Sequence, residues 1–148
     1  VCRTFSKIYG MAGLRVGYAI TSQDNAERIR AHLMSFGGNL AGIAAAIASY
    51  NDTAFLNQSR AMVLEGRAMI MDAVAKAGLT ALPSQTNFVF VKVPDANTLR
   101  DAMGERGIAI RGAYGAAWRG YSRVSTGKLD DVARYAAALP ELAQRLWG

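Results

Sequence analysis

Residues 4–18 read Thr-Phe-Ser-Lys-Ile-Tyr-Gly-Met-Ala-Gly-Leu-Arg-Val-Gly-Tyr. Val1–Ser6 alternates as a short strand, and Gly10 and Gly13 break the stretch after it, so Lys7 stands where strand gives way to loop. Leu14–Ile20 resumes as a second strand, in which Gly17 marks a close backbone approach. A chain that returns on itself in this way gathers two hydroxyls (Thr4, Ser6), an amine (Lys7) and a guanidinium (Arg15) near one loop. Hydroxyls with an arginine suit a phosphate, because charge-assisted hydrogen bonds contribute about 1.5–3 kcal/mol each and the guanidinium fork binds two oxygens at once. A lysine near another cation and partly desolvated has its neutral amine favoured, the form that a Schiff-base nucleophile needs. On spacing alone, the competing reading is a solvated lysine at a strand end.

The rest of the composition narrows the chemistry. The chain has 148 residues, 51% of them hydrophobic and 19% charged, which is globular composition rather than a disordered tail or a disulfide miniprotein. It opens on Val1, inside what reads as a strand, and is expected to be a fragment of a longer protein. One cysteine (Cys2) and one histidine (His32) exclude disulfide frameworks and zinc sites built on several such ligands, so no metal site is expected. His32 lies in the helical-looking stretch Asn25–Phe36 and reads as a surface or packing residue. A single thiol fits a reducing cytoplasmic setting. The longest uncharged apolar stretch, Leu40–Ser49, is about half of the ~20 residues that a membrane helix needs, so no membrane span is expected. Seventeen basic against eleven acidic residues give a net charge of +6. The arginines are scattered through helical patterns rather than interleaved with aromatics, which speaks against nucleic acid and for a few placed arginines that bind small anions.

Hydrophobic spacing organises the remainder of the chain. Asp24 is read as the cap of a helix to about Phe36, ended by Gly37-Gly38. Asn39 opens an Ala-rich helix to about Tyr50, apolar on nearly every side and therefore expected to be buried. Asp52 or Thr53 caps the longest helix, to about Lys76, stopped by Gly78, with Met62, Met69 and Met71 as packing filler. A strand over Asn87–Val93, a helix over Asn97–Arg106 and a short strand over Ile108–Arg111 come next. A Gly/Tyr/Ala loop leads to a strand over Tyr121–Ser125 and to a final helix capped by Asp130, which Pro140 is placed to kink or split. The order is α/β first and a small α+β unit last.

With these residues in place, the run Thr4–Tyr18 resembles the lysine segment of the class I/II aminotransferases, fold type I pyridoxal-phosphate enzymes, and in particular their histidinol-phosphate aminotransferase branch. Ser84–Val93 (SQTNFVFVKV), Gly107–Gly115 (GIAIRGAYG) and Tyr121–Gly127 (YSRVSTG) resemble further segments of the family, in family order, so that the likeness covers essentially the whole chain. The resemblance implies the C-terminal part of the fold type I large domain over residues 1–51, a long interdomain helix over 52–79 and a small α+β domain over 80–148. It implies pyridoxal 5′-phosphate as cofactor, with Lys7 as the catalytic lysine that carries it, Arg15 as its phosphate ligand, and Thr4 and Ser6 as hydroxyl ligands. It maps the arginine that holds the amino acid's α-carboxylate to Arg123, and one that helps bind a distal phosphate to Arg111.

The implied reaction moves an amino group between histidinol phosphate or a similar amino substrate and 2-oxoglutarate or glutamate, in a homodimer. The alternatives within the fold are an aromatic aminotransferase and an amino-acid phosphate decarboxylase; outside it stands a non-catalytic anion-binding module. Relatives place an Asp at the cofactor's pyridine nitrogen, an Asn and a Tyr near its 3′-oxygen and an aromatic over its ring, all upstream of the lysine, so the 148-residue chain alone is expected to be inactive. The stretch Ser35–Asp52 replaces a more usual Pro/Asn-containing segment at the dimer-facing helix. Gly120 to Lys128 only superficially suggests a phosphate-binding P-loop, since Leu129 stands where a Ser or Thr is required.

Overall fold

The first ten residues set the pattern of the N-terminal region. In a computed structural model that describes residues 1–34 and 37–148, strand β1 (Cys2–Thr4) pairs antiparallel with β2 (Gly17–Ala19), Thr4 opposite Gly17 and Cys2 opposite Ala19. The close approach expected at Gly17 is present: a Cβ there would lie 2.7 Å from the carbonyl oxygen of Arg3. Both strands are shorter than the expected Val1–Ser6 and Leu14–Ile20, and Leu14, read as strand, instead ends a 3₁₀ turn over Ala12–Leu14. Helix α1 (Gln23–Arg30) begins after Ser22 rather than at Asp24, which lies in its first turn and complements the positive helix end. It ends well before Phe36, which lies outside the described residues together with Ser35; His32 is exposed in the turn after the helix.

Helix α2 (Leu40–Tyr50) opens as expected on Asn39, whose side chain accepts from the Gly42 amide at 3.2 Å and donates to the Leu14 carbonyl at 3.3 Å. The expected burial is not found: Gly42 and Ala46 are buried, but Leu40 and Ile47 are 81% and 71% exposed. All-round apolarity states what a helix wants around it, and this stretch of chain covers one side only.

Helix α3 (Thr53–Lys76) has both expected ends. Asp52 accepts from the Phe55 amide at 2.9 Å, and Gly78, at φ +68°, stops the helix. The stop is a Schellman motif, with Leu79 N donating to Val74 O and Gly78 N to Ala75 O, both at 3.0 Å. The methionine stripe does not act as one: Met69 packs on the core, while Met62 and Met71 are exposed.

Strands β3 (Thr80–Ala81), β4 (Phe88–Lys92) and β5 (Tyr121–Ser125) form an antiparallel sheet in that order, and α4 (Ala96–Gly104) and α5 (Leu129–Trp147) pack on it. Alternation along β4 and β5 sends Val89, Val91, Ser122 and Val124 into a core with Ile70, Leu99, Met103, Tyr135, Leu139 and Leu142. Two expectations are corrected here, and one of the two outcomes open for Pro140 is removed. Ile108–Arg111 is not a strand; it makes a single bridge at its end, Arg111 to Arg123, and a cleft of about 270 Å³ lies between the residues before it, Gly107–Ile110, and Val124–Ser125 of β5. Lys128, not Asp130, is the N-cap of α5, with Asp130 and Asp131 in the first turn. Pro140 sits within α5 without splitting it.

The chain divides into two compact units, Val1–Arg60 and Ala61–Gly148, with the division falling inside α3. The hydrophobic core cluster lies in the second, between Ile70 and Leu142.

Candidate functional site

In the first unit the polar residues are organised by one buried ring. Phe5 is 5% exposed and packs against Tyr9 and Tyr18, with ring centroids 4.7 and 6.0 Å away. Its amide donates to Val16 O at 3.1 Å and its carbonyl accepts from Met11 N at 3.0 Å. With Phe5 turned inward, its neighbours on either side meet: Thr4 Oγ1 donates to Ser6 Oγ at 2.9 Å and accepts the Ser6 amide at 3.0 Å. The Phe5–Val16 bond also puts Ser6 and Arg15 one residue beyond the same pair, at one end of the ribbon.

Lys7 is exposed on a tight turn closed by Gly10 N to Lys7 O at 2.9 Å, with Gly10 at φ +70°. Arg15 is the one described non-glycine residue with positive φ, 53°, and its Nη1 donates to Ala12 O at 2.8 Å. Among the described residues neither Lys7 nor Arg15 forms an ion pair. Two hydroxyls in contact, a guanidinium at the same ribbon end and an accessible amine, none neutralised by a carboxylate, suit a phosphate-bearing carbonyl compound.

In the second unit the sheet face opposite the core carries aromatics and arginines. Phe88 and Phe90 alternate with the buried valines of β4, and Phe90 stands opposite Arg123 in register. Arg111 and Arg123 exchange both backbone hydrogen bonds at 3.1 Å, and the buried Ser122 hydroxyl donates to Arg111 O at 2.9 Å. Their side chains share one ring: the guanidinium carbon lies 4.7 Å (Arg111) and 5.5 Å (Arg123) from the centroid of Tyr114, and Arg123 also lies 5.3 Å from Phe88. Nε of Arg123 is buried with no hydrogen-bond partner, and neither arginine pairs with a carboxylate among the described residues. A cleft of about 260 Å³ is lined by Ala109, Ile110, Arg111, Arg123 and Ser125. Two guanidiniums without a carboxylate partner, beside a cleft, have the charge and the donor geometry that an anion takes.

Sequence reasoning picked out both arginines and missed Tyr114, the group they have in common. The available signal was an aromatic three residues after Arg111 inside a Gly/Ala loop. The loop is pinned from α4: Asn97 Oδ1 accepts from Ala113 N at 3.1 Å and from Arg100 Nη1 at 3.2 Å, and a Cβ on Gly112 would come within 2.4 Å of that oxygen. Among the described residues no group of three or more His, Cys, Asp or Glu side chains is arranged to hold a metal ion. No described helix is long and apolar enough to cross a membrane.

Known proteins share this arrangement of elements. The chain is 36% identical to the histidinol-phosphate aminotransferase of Nitratidesulfovibrio vulgaris (strain DP4), over 96% of this chain and 38% of that protein. It superposes on a crystal structure of the histidinol-phosphate aminotransferase of Sinorhizobium meliloti, in complex with pyridoxal-5′-phosphate, with a TM-score of 0.89 at 36% identity, over 98% of this chain and 41% of that one. A putative histidinol-phosphate aminotransferase from Erwinia carotovora atroseptica gives a TM-score of 0.91 at 30% identity, over 99% of this chain and 42% of that one. The chain thus spans about two-fifths of the length of these relatives, and over that length its mixed helix-and-sheet fold is that of the fold type I aminotransferases. With the sequence profile of aminotransferase class I and II matching residues 1–139, from the lysine loop to α5, the chain belongs to the class I and II aminotransferase family.

Proposed function

We propose that this chain is the C-terminal part of a pyridoxal 5′-phosphate-dependent aminotransferase that moves an amino group between histidinol phosphate, or a similar amino substrate, and 2-oxoglutarate or glutamate. The observation that carries the reading is the Thr4–Ser6 hydroxyl pair, with Lys7 and Arg15 at the same end of the β1–β2 ribbon and, among the described residues, no carboxylate paired to either cation. The donor set fits the cofactor. Thr4, Ser6 and Arg15 supply hydroxyl and guanidinium donors for its phosphate, and Lys7 supplies an amine for its carbonyl carbon. When bound, the cofactor supplies an electron sink for the charge left at a substrate's Cα.

Lys7 would hold the cofactor through Nζ, and its amine would serve as the general base that takes the Cα proton and the general acid that returns it. Arg15 keeps Nη1 on Ala12 O and offers its remaining N–H groups to the phosphate. In the second unit, Arg123 binds the α-carboxylate of a donor such as glutamate, and Arg111 the distal phosphate of an amino-phosphate substrate. The planar fork of a guanidinium matches the two oxygens of either group.

The same reading assigns residues 1–51 to the end of the large domain, 52–79 to an interdomain helix and 80–148 to the small domain. It includes a cytoplasmic location, in which the exposed thiol of Cys2 stays reduced, and a homodimer. It also holds that the 148-residue chain alone is inactive, since its match covers 38% of the relative from N. vulgaris.

The test is borohydride reduction of the full-length protein loaded with pyridoxal 5′-phosphate, followed by peptide mapping. The expected label is on Lys7, and label on any other residue overturns the assignment. A substrate panel checks the reaction: amino transfer that requires 2-oxoglutarate and releases no carbon dioxide is expected, and release of carbon dioxide from an amino-acid phosphate points instead to decarboxylation. Sedimentation of the same protein tests the dimer, and a monomer at working concentration removes that part of the proposal.

A further inference from the structure

We propose that Tyr114 is a positioning residue that holds Arg111 and Arg123 in place for anionic substrate groups, an inference that rests on the reading of both arginines as substrate ligands. Both guanidiniums lie within cation–π distance of this one ring, at 4.7 and 5.5 Å. They carry like charge, and among the described residues no carboxylate stands between them or beside them. Arg123 Nε is buried without a hydrogen-bond partner among the described residues, and the contacts of its guanidinium are the rings of Phe88 and Tyr114, at 5.3 and 5.5 Å.

A carboxylate would also fix these head groups, but it would consume the N–H fork and cancel the charge that an incoming anion needs. An aromatic face fixes a guanidinium through its plane and leaves the N–H edge free. The ring is itself well anchored. Asn97 Oδ1 accepts from the adjacent Ala113 amide at 3.1 Å, a Cβ on Gly112 would come within 2.4 Å of that oxygen and disturb this bond, and the Phe90 and Tyr114 ring centroids lie 6.3 Å apart. The Tyr114 hydroxyl makes no hydrogen bond to any of the described residues, so the ring face is the working part and phenylalanine should replace it.

The experiment uses the full-length protein and two readouts: steady-state kinetics with glutamate as donor, and calorimetric binding of succinate, a dicarboxylate that cannot react. Y114F is expected to match the wild type. Y114L is expected to weaken succinate binding and raise KM for glutamate by about tenfold, the scale of a partly desolvated cation–π contact, with kcat within about twofold of the wild type, as for lost uniform binding. A series of increasingly fluorinated phenylalanines at position 114 keeps the shape and drains the ring's negative face, and succinate affinity is expected to fall along it. A flat series, a Y114L variant that binds as the wild type does, or a wild type that does not bind succinate overturns the proposal. Should the wild type bind succinate in this ring-dependent way yet fail to transaminate, the aminotransferase reading fails and the role of Tyr114 stands.

Discussion

Arg15 carries the most informative backbone angle in the chain. An L-residue at φ 53° is in the left-handed region, which costs about 1–2 kcal/mol for side chains other than glycine. Glycine would sit there without strain, and the neighbouring turn already uses glycine at positions 10 and 13. The residue kept instead is one whose side chain reaches back to Ala12 O at 2.8 Å and still has N–H donors to spare. Strain retained at such a position points to a task for the side chain. R15G in the full-length protein is therefore expected to leave the thermal midpoint unchanged or slightly raised while weakening pyridoxal-phosphate affinity by about tenfold or more, the loss of one or more charge-assisted hydrogen bonds. Calorimetry and an absorbance titration measure the two quantities, and a variant that loses stability but not affinity would make Arg15 a structural residue only. The lysine motif was legible because it is local: residues 4–18 carry their own hydroxyls, amine and guanidinium. Tyr114 was not, because its meaning depends on Arg123 arriving beside it from β5.

Among the elements, α4 ties the arginine-bearing loop to the core, and Asp95 is its fastening. The Asp95 side chain accepts from the amides of Asn97 at 2.9 Å and Thr98 at 3.0 Å, and from Arg119 Nε at 2.6 Å. These bonds, the Thr98 amide first and the Arg119 guanidinium next, hold its carboxyl down to about 2, against an ordinary value of 3.8. A carboxyl depressed in the folded state binds its proton more readily when unfolded, so its contribution to stability is present above about pH 4 and is lost as pH falls through about 2. Urea midpoints of wild type and D95N are expected to differ most at pH 5 and to converge as pH approaches 2; a constant gap would assign the effect to something other than titration of this group. Elements with local signals at both ends were readable in advance: α3 has Asp52 and Gly78, and β5 alternates cleanly between core and aromatic face. Ile108–Arg111 was not, since Ile108 and Ile110 favour a strand, while the cleft between this segment and β5 leaves it paired only at Arg111.

Across the whole molecule, burial is distributed unevenly. The second unit holds the continuous core, with Ile70, Val89, Val91, Leu99, Met103, Leu139 and Leu142 at 0% exposure. In the first, the buried hydrophobic residues among those the structure describes are Phe5 and Ala46, while Leu40, Ile43, Ile47 and Tyr50 recur along α2 at helical spacing and remain exposed. Burial of apolar area is what offsets the entropy of ordering a chain, so the two units cannot be equally stable in the 148-residue chain. Sequence alone specified this helix's appetite for burial without supplying what satisfies it, because a periodic pattern records the environment a segment was selected for and not the environment present. Native-state hydrogen exchange on the isolated chain is expected to find β4, β5, α4 and α5 protected to the level of global unfolding, and β1, β2 and α2 opening at much lower free energy. I47E, at a position 71% exposed, should then change the stability of the second unit by no more than about 0.5 kcal/mol, as for surface substitutions generally, and should reduce any association of the isolated chain through its apolar helix face. In the full-length protein the same substitution should instead lower the unfolding midpoint, since a glutamate would then sit in a covered apolar contact. Equal protection of the two units in the isolated chain, or an I47E variant without effect in the full-length protein, would mean that α2 needs no cover beyond what this chain provides.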